Sequence, residues 1–275
     1  MRHPWSIEIN SYLFDHHMEG RCLFPAVEAL ITLAAAVNRH FPQADLRCLT
    51  SARFPRFLVI PPETRQITAL VDFEQDQADR VSAKLLTQVR SKSGGIGRHL
   101  EHARVAFLFT GDGKGVFLPV ESPEDPDMTI LAESIYSELI PFGPAYQNII
   151  GPASISLSGA WAVLSGGDHQ FDDSLLGSPF PLDAAFHLAC VWGQRFNGIV
   201  PFPTGFEKRI IHQKTKNGGR YWGRVIPVTV NEVPLIFDAL IFDLKNTLCE
   251  EIRGIQMQDV SQGRLRPPRW IKALK

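Results

Sequence analysis

The sequence is poor in cysteine and almost without net charge. Its four cysteines are scattered over 275 residues with no C-x-x-C pair, so their spacing indicates neither a zinc site nor a dithiol redox motif. The 28 Lys and Arg side chains are balanced by 29 Asp and Glu. A dedicated nucleic-acid-binding protein usually has a strongly basic face, and this composition argues against one.

Long apolar runs are also missing. No stretch approaches the roughly 18 uninterrupted apolar residues of a membrane span. The segment Met1–Glu8 lacks the apolar core and the small-residue cleavage site of a signal peptide. We therefore expect a cytoplasmic protein that does not enter a membrane. Hydrophobic residues still make up 44% of the chain, which excludes intrinsic disorder. The length allows one large domain or two of roughly 130 residues.

Two apolar segments, each preceded by a proline, predict two buried helices. Residues 26–41 follow Pro25 and residues 182–196 follow Pro181, and both segments are apolar on nearly every face. Alternating or β-branched sequence after each helix predicts strands at residues 52–60, 66–73, 81–90, 102–109, 208–213, 221–230, 235–243 and 247–256. Residues 91–97 are Gly-rich and predict a hairpin connection, since strand-like sequence on both sides disfavours a phosphate-binding loop.

The second half of the chain echoes the first at a constant offset of 156 residues, because Phe24-Pro25 matches Phe180-Pro181. Two copies of a helix followed by strands predict two α+β units, each a curved sheet around its helix. Turn-forming residues mark a boundary between the halves. We assign residues 1–115 to the first unit, 116–130 to a linker and 131–275 to the second unit.

Three short motifs contain the side chains that are candidates for catalysis and binding. His16, Gly20 and Pro25 have the spacing H-x-x-x-G-x-x-x-x-P. Residues 142–147 read F-G-P-A-Y-Q, and residues 182–187 read L-D-A-A-F-H. The first motif alone proves little. The order and spacing of all three resemble those of the double hot-dog dehydratase domains of polyketide synthases, and the resemblance spans essentially the whole chain.

This resemblance implies a fold, an activity and roles for residues. The fold would be α+β, a double hot-dog with two hot-dog units in one chain. The activity would be dehydration of a 3-hydroxyacyl thioester carried on the phosphopantetheine of an acyl carrier protein, without a metal or redox cofactor. The partner would be that carrier or a synthase module, and a homodimer is allowed. His16 would be the catalytic base and Asp183 the acid, while the Gly20 N–H would polarise the thioester carbonyl. His187 would hold the Asp183 carboxyl group, one helical turn away. The other residues that would bind substrate are Pro25, Phe142, Gly143, Pro144 and Gln147.

The chemistry agrees with these roles. Loss of water needs a base for the C2 proton, and a histidine with an ordinary pKa near 6.5 suits that role at neutral pH. The departing hydroxyl needs an acid. Asp183 suits this role only if its apolar neighbours outweigh the helix dipole, which favours the ionised form. At the 156-residue offset Asp183 corresponds to Val27 and His16 to Asp172, so we expect one composite site per chain.

Each residue also has a simpler interpretation. His16 suits a solvated loop, Asp183 a helix cap, and His187 a buried core position. A metal site built from His16, His17 and Asp183 is disfavoured because no familiar ligand spacing is present. The alternative functions are a product-template-like cyclase or an enoyl isomerase with the same dyad, or a catalytically silent acyl-binding scaffold.

Some features depart from the family pattern or fall outside it. Phe142 stands where the family has tyrosine, and Ala26 stands where glycine is common.

Residues 263–275 carry five basic side chains and no acidic one, which indicates a solvated tail or a docking strip for an acidic carrier protein. The extent of the sequence leads us to expect a free-standing, trans-acting protein, with excision from a larger synthase as the alternative.

Overall fold

The structure is a computed structural model that describes residues 1–77, 79–89, 97–109, 126–169, 174–229 and 232–272. The α-helices are α1 Ala26–His40, α2 Ala132–Ser134 and α3 Phe180–Phe196. Short 3₁₀ segments cover Ser11–Asp15, Pro144–Tyr146 and Arg269–Ile271, and a π-helical turn covers Ile135–Leu139. The strands are β1 Arg2–Glu8, β2 His17–Met18, β3 Arg21–Leu23, β4 Asp45–Arg53, β5 Val59–Ile60, β6 Gln66–Gln77, β7 Arg80–Gln88, β8 His99–Leu108, β9 Met128–Leu131, β10 Ile149–Ser156, β11 Gly159–Ser165, β12 Phe202–Ile211, β13 Arg220–Pro227, β14 Leu235–Asp243 and β15 Leu248–Gln258.

One long antiparallel sheet runs through both halves of the chain. Its strand order is β1-β6-β7-β8-β4-β12-β15-β14-β13-β11-β10-β9. The two halves join where β4 pairs with β12, with Leu49 opposite Arg209 and Ala52 opposite Phe206. A small second sheet, in the order β2-β3-β5, precedes and follows α1 along the chain. The two repeated units therefore share one continuous hydrogen-bonded sheet.

The two long helices form the core, as the apolar segments predict. Helix α1 packs against β7 and β8, helix α3 packs against strands β10 to β14, and the two helices contact each other. Every residue of α3 from Phe180 to Gln194 is buried. Helix α3 begins two residues earlier than predicted, which places Pro181 in its first turn, where its missing N–H breaks no helical hydrogen bond. The prediction of two wrapped helices is confirmed.

Most predicted strands are confirmed to within a few residues, but the first is wrong. Residues 52–60 do not form one strand, because β4 ends at Arg53, and Pro55 has no N–H to donate to a ladder. No strand is predicted from the sequence at β1, at the short β2 and β3, or at β9, β10 and β11. Strand β10 is interrupted by Gly151 and Pro152, and β11 contains few β-branched residues, so neither has the sequence pattern of a typical strand.

Parts of the predicted organisation lie outside the described residues. These parts are nearly all of the hairpin at residues 91–97 and most of the linker at residues 116–130, so the division into domains stays a prediction. The last residues of that linker belong to β9, which pairs with β10 of the second half. Among the described residues, no helix is long and apolar enough to cross a membrane.

Candidate active site

His16 is fixed to strand β3 through both its backbone and its ring. It follows the 3₁₀ segment Ser11–Asp15, and its carbonyl oxygen accepts a hydrogen bond of 2.9 Å from the N–H of Leu23. The ring atom Nδ1 lies 2.9 Å from the Leu23 carbonyl oxygen. Because a carbonyl oxygen can only accept, the neutral ring carries its proton on Nδ1 and keeps the lone pair on Nε2. This is the tautomer that a base acting through Nε2 needs.

Aromatic rings surround the imidazole of His16. The ring centroid of Phe142 lies 4.4 Å away, and that of Tyr146 lies 5.0 Å away in an edge-on arrangement. Burial in these surroundings lowers the pKa of His16 below 6.5, although the negative charge of Asp183 opposes the shift. The ring is therefore neutral at physiological pH and able to accept a proton.

Asp183 and His187 lie one turn apart on the buried helix α3. Their side chains are 6% exposed, and Asp183 Oδ2 lies 3.0 Å from His187 Nε2. The contact is close but not aligned as a hydrogen bond, since neither atom has a partner of good hydrogen-bond geometry. The distance is short enough for His187 to hold the carboxyl group when the two side chains are aligned.

Tyr136 determines which nitrogen of His187 carries the proton. Its hydroxyl oxygen accepts a 2.8 Å hydrogen bond from the Ile149 N–H and lies 3.3 Å from His187 Nδ1. The hydroxyl hydrogen is then available to Nδ1, which leaves the imidazole proton on Nε2, facing Asp183. Burial raises the pKa of Tyr136 well above its ordinary value, so it stays a donor. Tyr136 belongs to none of the three motifs, so sequence reasoning missed it.

His16, Asp183 and His187 line one cleft, to which the first half of the chain contributes the first residue and the second half the other two. The cleft encloses about 790 Å³ of empty space, including its open mouth. Its wall is mostly apolar and consists of Phe24, Ala26, Ala29, Phe54, Phe57, Leu58, Leu85, Ile140, Phe142, Phe186, Cys190, Pro201, Phe202 and Pro203. The sequence predicted a composite site, and the structure brings its three central residues together.

Two further polar residues of the cleft were missed by sequence reasoning. Arg56 lines the cleft, and so does His102, which is buried. His102 Nε2 lies 2.7 Å from Thr87 Oγ1, and Nδ1 lies 3.3 Å from the Arg56 carbonyl oxygen. Burial lowers the pKa of His102, so it is a neutral ring with both nitrogens engaged.

The second motif holds the segment that carries His16. The N–H of Gly143 donates to the Asp15 carbonyl oxygen at 2.8 Å, and the N–H of Ala145 donates to Asp15 Oδ2 at 2.9 Å. A Cβ at position 143 would lie 2.5 Å from the Asp15 side chain, so this close approach requires glycine. The motif therefore fixes the residue directly before His16.

The other residues of this motif divide between cleft and surface. Phe142 lines the cleft and lies 5.2 Å from the His187 ring. Pro144 and Gln147 are exposed and do not line the cleft. The side-chain amide of Gln147 donates a 2.8 Å hydrogen bond to the Phe142 carbonyl oxygen, which braces the loop. The predicted substrate contact of Pro144 and Gln147 stays a prediction.

Gly20 lies outside the cleft, at the tip of the β2–β3 hairpin. Glu19 and Gly20 have φ angles of 49° and 73°, the left-handed pair of a two-residue hairpin turn. Gly20 and His17 line a neighbouring depression, which shares residues such as Phe142 with the cleft. Pro25 is buried and precedes the first turn of α1. The predicted contact between Gly20 and a thioester carbonyl stays a prediction.

The alternative of a metal site at His16, His17 and Asp183 gains no support from the described residues. His17 belongs to the neighbouring depression, and its Nδ1 lies 3.0 Å from the Asp15 carbonyl oxygen. In the described part of the chain, no three His, Cys, Asp or Glu side chains form a group that could hold a metal ion. The cleft instead brings an imidazole and a buried carboxyl group to one mostly apolar wall.

Comparison with known proteins supports the fold. No model of a known protein family matches the chain, and no curated protein is similar to it in sequence. Solved structures are similar over 94% of the chain. The dehydratase domain of the CurF module of curacin polyketide synthase has a TM-score of 0.72 at 18% identity over 93% of that domain. That of the CurJ module has a TM-score of 0.70 at 17% identity over 91%. The dehydratase domain of RzxB from Pseudomonas fluorescens has a TM-score of 0.71 at 12% identity over 94%.

At these identities the similarity establishes the fold. The chain has the double hot-dog fold of polyketide synthase dehydratase domains, and the predicted fold class is confirmed. Chemistry has to be argued from the site itself, because one fold supports many functions.

Proposed function

We propose that this protein removes water from a 3-hydroxyacyl thioester to give a 2-enoyl thioester, in biosynthesis of the polyketide or fatty-acid type. One observation carries the proposal: a neutral imidazole and a buried carboxyl group, from opposite halves of the chain, face the same apolar cleft. Dehydration of this kind needs one base and one acid held on a shared substrate.

His16 is the base in this proposal, and Asp183 is the acid. His16 Nε2 takes the C2 proton, which is activated by the neighbouring thioester carbonyl. Asp183 gives its proton to the C3 hydroxyl as the C3–O bond breaks, so water leaves and the C2–C3 double bond forms. The carbonyl oxygen gains negative charge in the transition state and needs a preorganised donor. We propose that the Gly20 N–H supplies it once the thioester spans the cleft and the adjoining depression.

His187 keeps the Asp183 carboxyl group oriented. Its Nε2 proton faces Oδ2, because Tyr136 is placed to donate to Nδ1. This contact leaves the other carboxyl oxygen of Asp183 for the substrate hydroxyl. Such oriented groups accelerate reactions mainly by removing the need to search for the reactive geometry.

The acyl group would occupy the apolar wall of the cleft, and a carrier protein would approach at the adjoining depression. Leu265 and Arg266 line that depression together with Gly20. Arg264 lies 3.2 Å from the Glu19 carboxylate on the hairpin, which brings the basic C-terminal segment to this mouth. Arg264 and Arg266 are the basic side chains at this mouth, beside Glu19 and Glu138, and they would offer contacts to an acidic acyl carrier protein that delivers its thioester on phosphopantetheine.

Mass spectrometry of acyl carrier proteins loaded with 3-hydroxyacyl groups of several lengths tests the proposal. We expect loss of one water from the carrier, with the preferred length reporting the depth of the cleft. The His16→Ala variant is the matched control and should leave the substrate intact. Binding without loss of water would instead select the acyl-binding scaffold. Conversion of a 2-enoyl substrate to an isomer of equal mass, without hydration or dehydration, would select an isomerase.

A further inference from the structure

A basic hollow lies in the sheet of the first half of the chain, apart from the site described above. Four of its nine lining residues are cationic and one is acidic. It encloses about 640 Å³ of empty space, including its open mouth. Its lining residues are Ser51, Arg53, Glu74, Arg80, Ser82, Lys84, Arg104, Val105 and Ala106. None of these nine residues lines the cleft or the adjoining depression, so the proposed dehydration does not account for the hollow.

The basic hollow and the cleft lie on opposite faces of the sheet. Lys84 lines the hollow, whereas Leu85, the next residue of β7, lines the cleft. At the end of β4, Arg53 lines the hollow and the following residue, Phe54, lines the cleft. Successive side chains of a strand point to opposite faces, and helix α1 packs against β7 and β8 on the cleft side. The hollow is therefore on the outer face of the sheet.

Three cations of the hollow stand side by side across three neighbouring strands. Lys84 of β7 is directly opposite Arg104 of β8, and Arg104 is directly opposite Arg53 of β4. Arg80 adds a fourth cation on the same face of β7, four residues before Lys84. Like charges directly opposite each other destabilise a sheet. Such a row lowers the stability of the fold unless an anion offsets its charge.

Nearby carboxylates offset only part of this charge. Glu74 forms an ion pair with Lys84 Nζ, and Glu101 Oε1 lies 3.5 Å from Arg104 Nε. Both pairs are partly exposed to solvent, where ion pairs are weak. Within the part of the chain that the structure describes, Arg53 forms no ion pair, and its recorded hydrogen bonds go to backbone carbonyl oxygens. The row therefore keeps an excess of positive charge.

Backbone geometry holds this side of the hollow in shape. Arg53 Nη1 donates to the carbonyl oxygens of Ala52, at 2.8 Å, and Phe206, at 3.4 Å, which fixes the guanidinium without neutralising it. Ser51 has a φ of 55°, which is uncommon for a residue other than glycine. The pairing of β4 with β8 shifts register between Thr50 and Arg53, and a bulge of this kind bends the strand. The hollow thus has a preformed cationic wall.

We propose that the basic hollow binds a compact anion of the phosphate class that carries two or more negative charges. A phosphoryl group presents oxygens in several directions and can meet cations from three strands at once, whereas a carboxylate presents two oxygens in one plane. Arginine side chains form paired hydrogen bonds with such oxygens. Ser51 and Ser82 add hydroxyl donors to the lining. The balance of 28 cationic and 29 acidic side chains in the whole chain argues against an extended polyanion such as a nucleic acid.

Isothermal titration calorimetry with inorganic pyrophosphate at low ionic strength tests the proposal. We expect saturable binding of one pyrophosphate per chain, weaker binding of inorganic phosphate and none of acetate. Arg104→Gln removes the centre of the row and should weaken pyrophosphate binding about tenfold or more, the usual effect of losing a charge-assisted hydrogen bond. Arg224→Gln is the matched control, because it removes the same charge from β13 in the second half, where the guanidinium lies 5.5 Å from the Trp161 ring centroid. Absence of saturable binding, or an equal loss in Arg224→Gln, would overturn the proposal.

Thermal unfolding distinguishes a ligand site from a structural role of the same cations. In buffer without phosphate, Arg104→Gln relieves the like-charge row and should raise Tm by about 1–3 °C. Saturating pyrophosphate should raise the Tm of the wild type more than that of the variant, because a ligand stabilises the fold according to its affinity. A structural role of Arg104 would instead give the variant a lower Tm without phosphate, and this result would overturn the proposal. Neither measurement uses turnover, so the outcome is independent of the proposed dehydration.

Discussion

Replacement of Glu28 with glutamine should change how the stability of the fold depends on pH. Burial raises the pKa of this carboxyl group from 4.5 to about 7. The unfolded chain therefore releases this proton at a lower pH than the folded protein, and ionisation of Glu28 destabilises the fold as pH rises through this window. The difference of about 2.5 between the two values corresponds to about 3 kcal/mol at 1.36 kcal/mol per pKa unit. Glutamine has nearly the same shape and no charge to bury.

Urea denaturation at about pH 4.5 and about pH 8 measures this effect. We expect the free energy of unfolding of Glu28→Gln, relative to the wild type, to rise by on the order of 3 kcal/mol between the two conditions. The lowered pKa of His16 makes both proteins less stable below about pH 6.5, and this contribution cancels in the comparison. Thr32→Val is the matched control, since Thr32 Oγ1 donates to the Glu28 carbonyl oxygen at 2.9 Å and carries no charge, and it should show no such pH-dependent difference. A stability difference between Glu28→Gln and wild type that is equal at both pH values would refute the burial argument.

Four further outcomes follow from the site. His16→Ala should abolish dehydration, whereas His17→Ala should be nearly silent, because His17 lines the adjoining depression and the Gly143 N–H still binds the Asp15 carbonyl oxygen that His17 contacts; the reverse would show that the motif register is wrong. Asp183→Asn keeps the shape without a transferable proton, so kcat should fall by about 10²–10⁴-fold with little change in substrate binding; survival within about tenfold would exclude an acid role. Tyr136→Phe removes the donor to His187 and should lower kcat while leaving KM nearly unchanged; an equal change in KM would place Tyr136 in substrate binding instead. Phe142→Tyr should shift kcat/KM ratios toward oxygenated acyl chains over reduced ones, because phenylalanine leaves a buried polar group unsatisfied at a cost of about 1–3 kcal/mol; an unchanged ratio would mean that residue 142 does not face the acyl chain.

The sequence predicted the helices and the central pair of the site because both have local signatures. A segment that is apolar on every face must be wrapped, and α1 and α3 are. His16 and Asp183 stand in motifs of fixed spacing, so their meeting across the two halves could be expected before any coordinates. The strand predicted at residues 52–60 is wrong. The segment is apolar enough for a strand, but Pro55 has no N–H to donate to a neighbouring strand.

Tyr136 and Glu28 could not be predicted in the same way, since their roles depend on contacts that are distant in sequence. Tyr136 reaches His187 across 51 positions, and Tyr12 reaches Glu28 across 16. In the sequence, Glu28 is an acid in the first turn of a helix, a position where ionised side chains are usually exposed and favoured by the helix dipole. Its burial depends on tertiary contacts, because α3 packs against α1 and the Tyr12 hydroxyl binds the Glu28 carboxyl group.

The repeat explains why a second buried carboxyl group stands at nearly the same position of an equivalent helix. At the 156-residue offset, the counterpart of Asp183 is Val27, and Glu28 is the next residue. Both acids therefore occupy the first turns of equivalent helices that contact each other, but a rotation of one residue along a helix turns a side chain by about 100°. Asp183 faces the cleft, whereas Glu28 faces Tyr12. The duplicated fold thus supplies two similar positions, and the one-residue difference between them directs one carboxyl group to the cleft and the other to the Tyr12 hydroxyl.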